Sequence, residues 1–306
     1  MIKRIVFIAA CCVVLAMPSS AQEKGTLTPE ALPVLASPND VATPAKQLFG
    51  RAISGATLPA EALGFYAKGC MAGGQALPIN GPNWQVMRLS RKRNWAHPVM
   101  IDFLRRFTLS SSQETGWPGL LVGDMSQPRG GPMLTGHSSH QVGLDADIWL
   151  RPMPAQELTR AERENLSSLN VVASDGLDVD EKAWTSSHLA LIRNAAIQPD
   201  VQRVFVNPTI KKALCRTEAG QAWMSKVRPT AGHKYHFHIR LFCPTGDASC
   251  TAQDQVPDGD GCDKSLDWWF TDEALHPKPV IPIPPPKPPL RMTDLPAQCR
   301  AVLDAK

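Results

Sequence analysis

The stretch His137-Ser-Ser-His140-Gln-Val-Gly143-Leu-Asp145-Ala-Asp147-Ile-Trp149-Leu150 decides how the rest of the chain is read. From Val142 to Leu150 apolar residues alternate with Gly143, Asp145 and Asp147, and that period predicts a strand. Residues two apart on a strand share a face, so Gly143, Asp145 and Asp147 line up together and Trp149 continues the line toward a cleft. Glycine at 143 lets a neighbouring group approach the backbone closely. The preceding run, Pro128 to Gly136, is rich in glycine and proline, so the chain enters His137 from a loop. His140, at the strand's entrance, can lean over the same face. An imidazole and a carboxylate so placed supply two of the three protein ligands that a catalytic zinc takes.

A second histidine segment, His233-Lys-Tyr-His236-Phe-His238, lies some ninety residues downstream. On a strand His236 and His238 share a face, so one can bind metal while the other stays free beside it as a base. A single His-x-His is ordinarily a surface pair, and a His with an Asp seven residues on is no stronger alone. Five of the eight histidines fall in these two segments, however, which argues for one shared site. Bound zinc lowers the pKa of its water to about 7 and polarises a carbonyl, and a neighbouring imidazole moves the proton.

Working outward, Trp84 to Leu89 and Gly119 to Gly123 read as strands. His97 to Phe107 has the apolar spacing of a helix, with His97 at its start. Thr159 and Glu162 form a capping box opening a helix expected to run through Leu169. Thr185 to Ala196 reads as a helix through Leu189, Ile192 and Ala196, with His188 expected on its exposed face. Val201 to Val206 and His236 to Phe242 are strands, with short helices between them through Cys215 and around Trp223. His276 to Pro289 is mostly proline and can only be extended. Without regular βαβ alternation this mixture predicts an α+β fold.

Residues 1–21 read as a signal peptide: Lys3 and Arg4, an apolar run from Ile5 to Ala16, then the small residues Ser19-Ser20-Ala21. The run is shorter than the roughly 20 residues a membrane span needs, so no stable insertion is expected after cleavage. Ile8-Ala-Ala-Cys11 also resembles a lipoprotein box, though cleavage there leaves a very short apolar core. The parts that follow are a flexible leader over 22–45, the main domain over 46–275, and a proline-rich tail over 276–306. Loss of Lys3 and Arg4 takes the formal net charge from +4 to +2, too mild for a nucleic-acid partner. Six cysteines then remain, none in a Cys-x-x-Cys pair, which speaks for disulfides over a zinc ribbon. Six cysteines allow 15 pairings.

Ser138-x-His140-x-x-Gly143-x-x-x-Asp147 with the downstream His236-x-His238 resembles the signature of the lysostaphin and D-alanyl-D-alanine metallopeptidase superfamily. Five stretches are similar to the penicillin-insensitive murein endopeptidases within it: Ser90–Pro98, Gly136–Ile148, Arg203–Pro208, Lys226–Pro229 and Asp258–Cys262. The similarity spans about residues 70–270. It implies an α+β peptidase with an antiparallel central sheet carrying the zinc site, flanked by helices and disulfide-stapled loops. The implied reaction is hydrolysis of the D-alanyl–meso-diaminopimelyl cross-link between peptidoglycan peptides, in the periplasm. Carried over by residue, His140, Asp147 and His238 hold the catalytic zinc, His236 is the general base, and His233 either assists it or stabilises the oxyanion. His137 and Asp175 match positions for a second metal; the residue three beyond Asp175 is histidine in the family pattern and Asp178 here, a carboxylate able to replace it as the third ligand. The implied disulfides are Cys70–Cys299, Cys215–Cys262 and Cys243–Cys250.

Two other functions fit the same residues. A D,D-carboxypeptidase or dipeptidase needs a cleft closed at one end around a free carboxylate. A wall- or metal-binding protein without turnover has no use for an unliganded base such as His236. Arg88, Arg91, Lys92 and Arg93 form either a substrate-carboxylate patch or a solvated basic turn.

Overall fold

A computed structural model describes residues 24–306 apart from Ala36, Val280 and Ile283. The expected signal peptide, with Cys11, lies outside the described residues. Eleven strands are described: β1 (Glu61–Phe65), β2 (Lys68–Ala72), β3 (Gln75–Ala76), β4 (Asn80–Gly81), β5 (Trp84–Val86), β6 (Trp95–Ala96), β7 (Leu120–Val122), β8 (Asp145–Pro152), β9 (Val201–Val206), β10 (Val227–Pro229) and β11 (His236–Leu241). The α-helices are α1 (Ala45–Phe49), α2 (Pro98–Thr115), α3 (Arg160–Asn165), α4 (Ser186–Ile197), α5 (Pro208–Glu218), α6 (Asp272–Leu275) and α7 (Gln298–Asp304).

Seven strands form the central sheet in the order β10-β9-β11-β8-β7-β5-β4. Its middle, β9-β11-β8-β7, is antiparallel, but β10 runs parallel to β9 and β5 parallel to β7. The sheet is therefore mixed, where an antiparallel one was expected. The parallel pairs arise because helical crossovers, α2 between β5 and β7 and α5 between β9 and β10, return the chain in its original direction.

Register between β8 and β11 positions the site. Trp149, Asp147 and Asp145 stand directly opposite His236, His238 and Arg240. Alternation sends these six side chains to one face of the sheet. Ala146, Ile148, Phe237, Ile239 and Leu241 go to the other, where they are buried with Met100, Phe103 and Phe107 of α2 and Leu191 and Ile192 of α4. Each fully buried side chain of this size contributes about 1.5–3 kcal/mol, so the core face holds the strands in the register that builds the polar face.

Local signals set the helix ends. Pro98 opens α2, the His97 imidazole accepts the Val99 N–H at 3.2 Å, and Gly116 ends the helix in the left-handed region. The Thr159–Glu162 capping box starts α3 as expected, but the helix stops at Asn165 instead of reaching Leu169. His188 is buried, against expectation. It shares the apolar face of α4 with Ile192 and Ala195, accepts the Thr185 N–H at 3.0 Å and donates to the Leu150 carbonyl at 2.8 Å.

A second cluster joins α1, the β1–β2 hairpin and α7 around Phe49, Leu63 and Val302. Cys70–Cys299 ties α7 to that hairpin, and Cys215–Cys262 and Cys243–Cys250 staple loops. These are the pairs the resemblance implies. No helix among the described residues is long and apolar enough to cross a membrane.

Candidate metal centre

His140 sits in the left-handed region, with φ 66°. Its backbone N–H donates to Asp145 Oδ2 at 2.9 Å, and its ring Nδ1 lies 2.7 Å from the Met125 carbonyl. A carbonyl only accepts, so Nδ1 carries the proton and Nε2 keeps its lone pair. That lone pair faces Asp147 Oδ1 at 3.5 Å. Gly143 makes the approach of the loop possible: it has φ 76°, and a Cβ there would meet the His97 backbone nitrogen at 2.6 Å.

His238 is set up in the same way by a different partner. Its Nε2 lies 2.9 Å from Asp145 Oδ1, which makes Nε2–H the donor and leaves Nδ1 with a lone pair, 3.5 Å from Asp147 Oδ1. Asp145 is fully buried and gripped from the side by Arg240, whose Nε and Nη2 donate to its two oxygens at 2.8 and 3.0 Å. Burial alone would raise this carboxyl; Arg240 and then His238 hold it well below the usual carboxylate range. Arg240 is itself packed between the rings of Tyr66 and Phe205.

Two imidazole lone pairs thus converge on one carboxylate oxygen with no proton to share. His140 Nε2 and Asp147 Oδ1 are buried and have no hydrogen-bond partner. Such groups are costly when left unsatisfied, and a cation satisfies both at once. Two imidazoles and a carboxylate are the donor set that zinc accepts. His137 stands on the same cluster, with one ligand atom each of His137, His140 and Asp147 within 4.8 Å of one another.

Behind this set lies a brace with no motif to announce it. Asp124, in the loop after β7, is buried and accepts from Arg93 at 2.8 Å, Arg91 at 3.0 Å and His137 Nε2 at 3.0 Å. Burial pushes this carboxyl upward, but His137, Arg93 and Arg91 hold it well below its ordinary value. The same loop receives the Asp147 N–H on the Asp124 carbonyl and the His140 ring on the Met125 carbonyl. Arg88 is also committed: it is buried, donates to the carbonyls of Arg163 and Leu166, and lies over the Trp149 ring. Three of the basic-turn residues are therefore parts of the scaffold.

Two members of the cluster, Asp147 and His137, line a cleft of about 430 Å³ together with His233 and His236. Trp149 lines it too, as its place on the strand predicts. His236 Nε2 lies 3.6 Å from Asp147 Oδ2, and burial pushes this imidazole down to about 4. His233, with φ 52°, donates from Nδ1 to the Ala231 carbonyl at 3.0 Å. Asp175 and Asp178 are not brought into the cluster: the Asp175 carboxylate accepts the Leu177 N–H, and Asp178 pairs with Arg216 at 2.8 Å.

Fold and site together define a class, an α+β protein with a braced histidine–carboxylate cluster able to hold a metal, two of whose members line a cleft. A family model described as penicillin-insensitive murein endopeptidase matches residues 62–304, and the chain belongs to that family. Relatives of that name include one from Haemophilus influenzae, 44% identical over 260 residues covering 84% of this chain and 86% of the relative. One from Yersinia pestis is 39% identical over 245 residues, covering 80% and 86% of the two chains. One from Klebsiella pneumoniae is 38% identical over 275 residues, covering 89% and 96%.

Proposed function

We infer that this chain is an exported, zinc-dependent murein D,D-endopeptidase of the lysostaphin and D-alanyl-D-alanine metallopeptidase superfamily. It acts in the periplasm on the D-alanyl–meso-diaminopimelyl cross-link of peptidoglycan. The observation that carries this reading is the convergence of the His140 and His238 lone pairs on a buried Asp147 oxygen, in a chain of this family. His140, Asp147 and His238 are the zinc ligands in this scheme. These three residues would hold the ion, and the chemistry it would supply is Lewis-acid polarisation of a carbonyl and a lowered pKa for water.

The remaining work falls to the side chains of the cleft. His236 is neutral at pH 7, since burial keeps its pKa near 4, so its free nitrogen accepts a proton. Asp147, 3.6 Å away, steadies the imidazolium that forms. General-base transfer of this kind contributes about 10²–10⁴ in rate. His233 keeps Nδ1–H on Ala231, so in its neutral form Nε2 is an acceptor, and it donates to a developing oxyanion only as imidazolium. No serine takes part in the scheme, which leaves penicillin nothing to acylate.

The test is digestion of purified cross-linked muropeptide dimers, read by mass spectrometry, with penicillin and with a zinc chelator in parallel. Conversion of dimers to monomers, blocked by chelator and untouched by penicillin, is the expected result. Release of only a terminal D-alanine would replace the endopeptidase by a carboxypeptidase. His236→Ala should keep its zinc and lose about 10²–10⁴ in rate; full activity in that variant would overturn the mechanism.

A further inference from the structure

Three cations line the cleft: Arg88, Arg91 and Lys234. Two of them are committed to the protein. Arg88 is buried against the Arg163 and Leu166 carbonyls, and Arg91 is paired with Asp124 at 3.0 Å. Lys234 differs. It is exposed, it stands between His233 and His236 in the chain, and its ammonium has no hydrogen bond or ion pair among the described residues.

The root of Lys234 is nevertheless held. Its carbonyl accepts the Val171 N–H at 3.1 Å, and the next carbonyl, of Tyr235, accepts the Leu150 N–H at 2.9 Å. The backbone is pinned to the far end of β8 and the side chain is left to the cleft. Among the described residues that line the cleft, no acid is available to it. Asp124 is already answered by Arg91, Arg93 and His137, and Asp147 lies buried among the histidines. A lone ammonium on a flexible stem, beside the proposed base and without an internal counter-ion among the described residues, can meet a substrate carboxylate as a point charge with three rotatable donors.

We propose that Lys234 is a specificity-determining residue that binds the free carboxylate next to the scissile amide. This rests on the endopeptidase reading of the same site. In a D-alanyl–diaminopimelyl cross-link the amide nitrogen is attached to a carbon that also bears a free carboxylate. His236 and Lys234, two residues apart in the wall that holds the base, can then serve the nitrogen side of the bond together. A charge-assisted hydrogen bond of this type is worth about 10- to 100-fold in binding.

Two muropeptide dimers test it, one with that carboxylate free and one with it converted to the carboxamide. Wild-type protein is expected to prefer the free acid by about 10- to 100-fold in kcat/KM, carried mainly by KM. In Lys234→Met, which keeps the stem and loses the charge, the ratio between the two substrates falls to near one, and Lys234→Arg restores part of it. Zinc content and thermal midpoint, measured on each variant, separate this from a folding defect. No wild-type preference, or an undiminished one in Lys234→Met, would overturn the carboxylate subsite while leaving the endopeptidase standing. If zinc-loaded wild type cleaves neither dimer, the endopeptidase reading fails and the subsite with it.

Discussion

His140, a metal donor by resemblance, and Asp178, a carboxylate standing where the family pattern has a histidine, are both candidate ligands in the sequence, yet they stand in opposite surroundings. Around His140 every neighbour is arranged to leave one lone pair unanswered. Met125 takes the ring proton, Asp145 takes the backbone N–H, and Nε2 is left buried against an equally unpartnered Asp147 oxygen. Around Asp178 the charge has already been met: Arg216 lies at 2.8 Å, Lys212 at 3.8 Å, and the Val179 N–H donates to the same carboxylate. A donor atom becomes a ligand where the fold withholds every other partner from it. By that measure the β8–β11 face is able to hold a cation, whereas the carboxylates of Asp175 and Asp178 are engaged by Leu177 N–H and Arg216.

The strongest way to break this contrast is at Asp147, which faces His137, His140, His236 and His238 at 3.5 or 3.6 Å. Asp147→Asn replaces a charged oxygen by a neutral amide, and should weaken zinc by more than the 10- to 100-fold that outer partners contribute. Metal analysis of the dialysed protein and muropeptide turnover should fall together. Full zinc occupancy in that variant would mean the ion is held elsewhere.

The brace comes next. Asp145 touches no substrate in this scheme; it orients His238 and fixes which ring nitrogen bears the proton. Asp145→Asn should lower zinc affinity by about 10- to 100-fold, measured by competition with a chromogenic chelator. It also leaves Arg240 buried without its partner, at a cost of about 3–5 kcal/mol in a urea melt. Unchanged zinc affinity in a destabilised protein would reduce Asp145 to a structural ion pair.

Much of this site was legible in the residues, and the limits of that legibility have physical causes. Alternation placed Asp145 and Asp147 on one face of β8, and the His-x-His spacing did the same for β11. What alternation cannot supply is register: that His238 faces Asp147, and Arg240 faces Asp145, is decided by the core residues of both strands. Asp124 sits in Gly123-Asp124-Met125 with no periodicity or motif around it, so its role as a hub needed coordinates. Strand direction escaped for a similar reason, since the crossovers through α2 and α5 are long-range choices. The burial of His188 has a signal in the sequence: positions 188, 192 and 195 recur at helical spacing just as Leu189, Ile192 and Ala196 do. The disulfide pairs came from family resemblance alone, because spacing does not choose among 15 pairings.

The smallest expected effect lies at Asp178, and it sharpens the comparison most cheaply. Its side chain is 42% exposed, and pairs of that kind contribute about 0–1 kcal/mol. Burial would raise its carboxyl, but the Val179 N–H, Arg216 and Lys212 together hold it below its ordinary value, so it is an anion with its partners in place. Asp178→Asn should therefore shift stability by less than about 1 kcal/mol and leave the zinc equivalents per chain unchanged. His137→Ala, made in parallel, should move metal affinity measurably, because His137 touches Asp147 at 3.5 Å and Asp178 is absent from that cluster. If Asp178→Asn instead loses one equivalent of zinc, and His137→Ala loses the same one, the two residues share a further metal. The Arg216 pair would then be the closed, metal-free form of that second site.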